Sequence, residues 1–205
     1  MFVYYRKKFR SNFEKYYKQI EARVNREALG CRSESNVPED MRNIMKNNGN
    51  LNNEEMGDEI YKFLTEKYTT RKWLVMVYDE VSGFEKHCLH NKFHTVFRES
   101  GRNAAAHSSD LNAENLLDDR TKDAFHTNLE YLKEEESQFG FPLESAERAY
   151  DMIGSPNRGG GQLEVAVVRR NKDLRVVSSS DYLFANSRKF TIVALQVGLY
   201  YLHKN

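Results

Sequence analysis

The sequence predicts an α+β fold: amphipathic N-terminal helices, then a small, mostly antiparallel sheet of about four or five strands packed with a long acidic helix. Three observations predict it. Apolar residues recur every three or four positions through the first seventy residues. At Trp73 that period gives way to the near-continuous apolar run Trp73–Tyr78. After a second helical block, two runs of strand length follow, Leu163–Arg169 and Phe190–Val197.

Phe13, Tyr17, Ile20, Val24 and Ala28 form one stripe, and Gly30 is the expected stop of a helix over residues 1–30. That stretch holds eight basic and three acidic residues. Such a helix packs on its own domain, docks on a partner helix or lies on an anionic membrane surface. Residues 31–205 are read as a single α+β domain. Within it, Asn36-Val37-Pro38-Glu39 opens a helix carrying Met41, Ile44 and Met45. The Asn-rich turn from Asn47 to Asn53 offers Asn52 or Asn53 as cap for a helix with Met56, Ile60, Phe63 and Leu64.

Trp73–Tyr78 reads as a strand covered on both faces, with Trp73, Val75 and Val77 in the core. Phe84–Leu89 is expected to return beside it after the Asp79–Gly83 turn, and Glu99–Asp110 to be mostly loop. A long helix is expected from Asn112 to Phe139, burying Leu117, Thr121, Phe125, Leu129 and Leu132. Asp118, Asp119 and Glu134 to Glu136 should lie on its exposed face. A short helix carries Ala146, Ala149, Tyr150 and Ile153 and stops at Gly154. Ser155–Gly161 is a loop. Leu163–Arg169 and Leu174–Ser178 read as a hairpin around Arg170–Asp173.

A net charge of +1 removes the simplest argument for nucleic-acid binding. The balance is an average over blocks. Residues 110–136 hold nine acidic and three basic residues, and residues 155–189 seven basic and three acidic. The expected consequence is pairing of the acidic helix with the basic segment, within the chain or between copies. Two cysteines, Cys31 and Cys88, are too few for a disulfide framework. The N-terminus lacks the order of a secretory signal, and no run approaches the ~18 apolar residues of a spanning helix. The expected compartment is cytoplasmic by default, or secreted if the native N-terminus is longer.

His87, Cys88, His90 and His94 are zinc-compatible types. On a strand, however, neighbours face opposite ways, so one local element cannot present all four. There is no Gly-x-Ser-x-Gly, and Gly159-Gly160-Gly161 lacks the Lys-Ser/Thr of a phosphate-binding loop. The expectation is therefore no catalytic residue, no metal and no cofactor. A metal-dependent enzyme at His87–His94 is the reading set against it.

The stretch from Tyr68 to Cys88, with its tryptophan-led strand, Val77-Tyr78, polar turn ending in Gly83 and His87-Cys88, resembles the central signature of the rapunzel / cephalotoxin-like family. Asn36–Met41, Glu59–Tyr68, Phe97–Asn103 and the Val165–Val168 passage are similar in outline. Against longer family members this chain reads as short or truncated. The resemblance implies a non-enzymatic, toxin-like or developmental interaction protein. Its structural signature is Trp73, Val77, Tyr78, Gly83, His87, Cys88, Phe97 and Gly101. The implied partner is an unknown protein or a second copy, with no nucleic acid and no small-molecule substrate. A membrane-active module using the basic helix is the alternative.

Overall fold

The computed structural model describes residues 36–80, 87–111, 117–138, 146–154, 163–170 and 173–196. The expected helix of residues 1–30, Gly83 and the Ser155–Gly161 loop lie outside the described residues.

Helix α1 (Val37–Asn47) starts with Pro38 in its first turn, where a missing N–H costs nothing, and buries Val37, Met41, Ile44 and Met45. Helix α2 (Asn53–Lys67) opens with a reciprocal cap. The Glu55 N–H donates to Asn52 Oδ1 at 2.9 Å, and the Asn52 N–H to Glu55 Oε2 at 3.0 Å. Met56, Ile60 and Leu64 form its buried stripe, with Phe63 at the margin. Lys67 and the Tyr68 hydroxyl both donate to Asp40, which ties the end of α2 to α1.

Among the described residues, eight strands follow in two sheets: β1 (Arg71–Asp79), β2 (His87–Leu89), β3 (Phe93–Glu99), β4 (Arg102–Asp110), β5 (Leu163–Arg169), β6 (Arg175–Ser178), β7 (Leu183–Asn186) and β8 (Phe190–Gln196). Helices α3 (Asp119–Gln138) and α4 (Ala146–Gly154) lie between β4 and β5 in the chain. The first sheet has the order β3-β4-β1-β6, the second β2-β5-β8-β7, and every pairing is antiparallel. The class is α+β as predicted, with the strands divided between two sheets of four.

The sheets pack face to face. Leu74, Met76 and Ala105 of the first meet Ala166, Val168, Val193 and Leu195 of the second in one buried layer. Helices α1 and α2 cover the outer face of the first sheet, against Trp73, Val75, Val77, Ala104 and Ala106. Helices α3 and α4 cover the outer face of the second, against Val165, Val167, Ile192 and Ala194. The result is a four-layer α-β-β-α sandwich. Among the described residues, no helix is long and apolar enough to cross a membrane.

The element order repeats. Among the described residues, 36–111 and 117–196 each run α-α-β-β-β-β, and the sheet order β3-β4-β1-β6 is matched by β7-β8-β5-β2. Each half therefore lends its second strand to the other half's sheet. Two expectations are corrected by this exchange. β2 pairs with β5, not with β1, and β5 and β6 belong to different sheets and form no hairpin. Short strands carry no information about which edge they join.

A third correction concerns Glu99–Asp110, expected as loop. It holds β4, an interior strand of the first sheet. Its Ala104-Ala105-Ala106 has poor strand propensity. In register, though, these alanines sit beside Val77, Met76 and Val75, where small side chains leave room for bulky neighbours. The turn before it needs left-handed backbone: Ser100 has φ 52° and Gly101 φ 76°. On α3, Thr121, Phe125, Leu129 and Leu132 are buried as expected, while Leu117 precedes the helix. Asp118 also precedes it and caps it, accepting from the Thr121 N–H at 2.7 Å.

Candidate functional site

The signature positions separate into different layers. Trp73 and Val77 are fully buried under α1 and α2. The Trp73 ring lies between Tyr68 and His94, with centroids 5.6 and 6.2 Å away. Tyr78, His87 and Phe97 come together at the sheet-facing side: His87 stacks on Phe97 at 4.3 Å and 6°, and meets Tyr78 edge-on at 6.1 Å. Cys88 points the other way from β2, against the core under α3 and α4. Gly101 makes the β3–β4 turn. Alternation along the strands thus disperses His87, Cys88 and His94 over three layers. Among the described residues, no group of three or more His, Cys, Asp or Glu is placed to hold a metal ion.

The chemistry-bearing cluster the structure does assemble is elsewhere. Glu164 on β5 and His107 on β4 face each other across the two sheets, with side chains only 3% and 7% exposed. His107 Nε2 donates to Glu164 Oε2, since an ionised carboxylate can only accept. Lys92, on the turn between β2 and β3, closes an ion pair on Glu164 Oε1 from the solvent side. Phe93, the register partner of His107, tilts its ring against the imidazole at 5.1 Å.

Burial pushes the Glu164 carboxyl up, but the hydrogen bonds and charges of His107 and Lys92 outweigh it and hold the group down at about 2. His90, on the same turn as Lys92, is lowered chiefly by burial; Glu164 opposes that shift, and Lys92 and His107 reinforce it. Tyr150 on α4 is raised to about 12, mainly by burial, with Cys88, Asp151 and Glu164 adding to it. One Glu164 oxygen thus meets the His107 imidazole and the other the Lys92 ammonium. The cluster is arranged to hold charge between the sheets.

Neither member was singled out from sequence. Glu164 did leave a signal: it is the one charged residue inside Leu163–Val168. His107 leaves none, because the Ala104-Ala105-Ala106 run before it has no strand pattern.

A second polar centre corrects the expectation that Glu136 lies on an exposed helix face. It is 5% exposed. Its carboxylate accepts from the Ser187 hydroxyl at 2.7 Å and from the Arg188 N–H at 2.7 Å, pinning α3 to the β7–β8 turn. Beside it opens a cleft of about 450 Å³ with Glu130, Lys133 and Glu134 on the helix side and Arg170 and Arg188 on the other. Part of the basic segment therefore does lie against the acidic helix. Arg175, however, pairs with Glu54 and Asp58 on α2, and Arg148 of α4 with Glu135.

No family model matches the chain, and no curated protein or solved structure matches it.

Proposed function

We propose that this chain is a non-enzymatic interaction protein of the rapunzel / cephalotoxin-like type, toxin-like or developmental in role. The observation that carries the reading is the placement of Trp73, Val77, Tyr78, His87 and Cys88 in separate buried layers. Residues that perform chemistry converge on a point, whereas residues that specify a scaffold spread through its core. Glu164 and His107, the buried acid–base pair, engage each other and leave no carboxylate oxygen for a substrate.

The contact region favoured for a partner is the mixed-charge rim where Glu130 and Glu134 stand opposite Arg170 and Arg188. Such a rim suits a second copy or a protein of similarly mixed charge, through complementarity that salt screens. Sedimentation velocity at low and high salt, with wild type and the charge reversal E130K/E134K, tests this. Salt-weakened association that the reversal diminishes supports the reading. Turnover of ester, amide or phosphate model substrates that is lost in His107→Ala contradicts it.

A further inference from the structure

The two halves can be superposed by register alone. In the first sheet β1 and β4 pair from Arg71↔Asp110 to Asp79↔Arg102, and in the second β5 and β8 pair from Leu163↔Gln196 to Arg169↔Phe190. The hydrogen bond just beyond each ladder is reproduced: Glu80 N–H to Gly101 O, and Arg170 N–H to Lys189 O. Aligning these ends places Leu74 on Glu164 and Leu195 on His107. Leu74 is the register partner of His107, and Leu195 that of Glu164. All four face the layer between the sheets. At the positions equivalent to Glu164 and His107 the duplicate therefore carries Leu74 and Leu195, in the same buried layer.

The fold is thus satisfied by leucines at this contact, and the ion pair is an addition on one side. Its surroundings give it a direction of response. The groups facing Glu164 are His107 from β4 and Lys92 and His90 from the β2–β3 turn. Tyr150 of α4 and Cys88 of β2 lie beyond the second sheet, in or beside the core under α3 and α4. At the contact itself, one carboxylate holds both the Lys92 ammonium and the His107 imidazole. Neutralising the carboxylate removes the one group that both of them meet, in a layer where the lost attraction is poorly replaced by water.

We propose that Glu164, His107 and Lys92 form an acid-released latch between the two sheets, set on one side of an internally duplicated sandwich. At neutral pH the latch holds β4 on β5. In acid it opens, and the apolar layer around Leu74 and Leu195 does not.

Hydrogen exchange on the full chain, corrected for intrinsic rates, tests this at pH 7 and pH 3. With Glu164 titrating at about 2 folded and 4.5 unfolded, linkage gives a roughly thirtyfold loss of protection for openings that break the latch. That loss is expected at 105–109 and 163–166 in wild type, and not in E164L/H107L. Should the double variant fail to fold, E164Q supplies the neutral side chain at pH 7 and is expected to show the acid pattern there. Wild-type protection retained at pH 3, equal losses in wild type and double variant, or wild-type protection in E164Q at pH 7 would each overturn the proposal.

Discussion

Leu74 on β1 and Glu164 on β5 occupy equivalent positions on the two central strands, yet one is a leucine and the other a buried carboxylate. The backbone around them is the same antiparallel ladder, so the difference is chemical. It makes the inter-sheet layer apolar through Leu74 and Leu195 and ionic through Glu164 and His107.

The first consequence is a dependence of stability on acid. Glu164 titrates at about 2 in the fold against an ordinary 4.5. A depressed carboxyl stabilises fully above its unfolded value and loses that contribution as pH falls through its folded value. The loss is on the order of 3 kcal/mol between pH 4.5 and 2. Asp118, lowered by its bonds to Gln196 and Thr121, acts in the same direction. Urea unfolding at pH 7, 4 and 2.5 should show a falling midpoint; a constant midpoint across that range would refute the assignment.

Trp73 anchors the outer core of the first sheet. Trp73→Ala should cost ~3–5 kcal/mol, as large aromatic truncations in cores do. The indole N–H makes no hydrogen bond. Trp73→Phe should therefore lose only packing volume and cost clearly less than the alanine variant. Equal losses in the two variants, read by chemical denaturation, would show that the nitrogen matters.

Asn52 caps α2 through a reciprocal pair with Glu55. Asn52→Ala should cost about 1 kcal/mol. Asn52→Ser or Asn52→Asp should be nearly neutral, because either side chain can accept from the Glu55 N–H. A neutral alanine variant would mean that the α2 packing alone sets the helix start.

Glu136 holds the β7–β8 turn through a hydroxyl and a main-chain N–H. Glu136→Ala takes the acceptor from the Arg188 N–H and leaves the Ser187 hydroxyl only its longer bond to the Phe190 carbonyl, at about 1–3 kcal/mol in all. Amide exchange at 188–190 should accelerate in that variant. Unchanged exchange there would mean that the turn is held by β7 and β8 themselves.

Much of the outer architecture was legible. Periodicity marks α1, α2 and α4 because each buries one stripe, and of the two cap candidates Asn52 and Asn53 the structure uses Asn52. Trp73–Tyr78 read correctly as a strand covered on both faces, since no polar residue interrupts it. β4 was hidden because Ala104-Ala105-Ala106 serves the bulk of β1 and not its own propensity. β2 and β6 were placed beside the wrong neighbours, since three or four residues do not encode a partner edge. The site was harder still. Glu164 and His107 stand 57 positions apart, on strands whose facing depends on the exchange, and local spacing cannot pair them.

The most direct test is a double-mutant cycle on Glu164 and His107 at pH 7, read as unfolding free energy. E164L leaves the His107 imidazole without its acceptor and H107L leaves the Glu164 carboxylate on Lys92 alone, so each single variant should lose about 1–3 kcal/mol. E164L/H107L recreates the leucine contact of the other half and should return to wild-type stability or exceed it, by up to about 4 kcal/mol. A double variant that loses the sum of the two singles would contradict the equivalence of the halves at this contact.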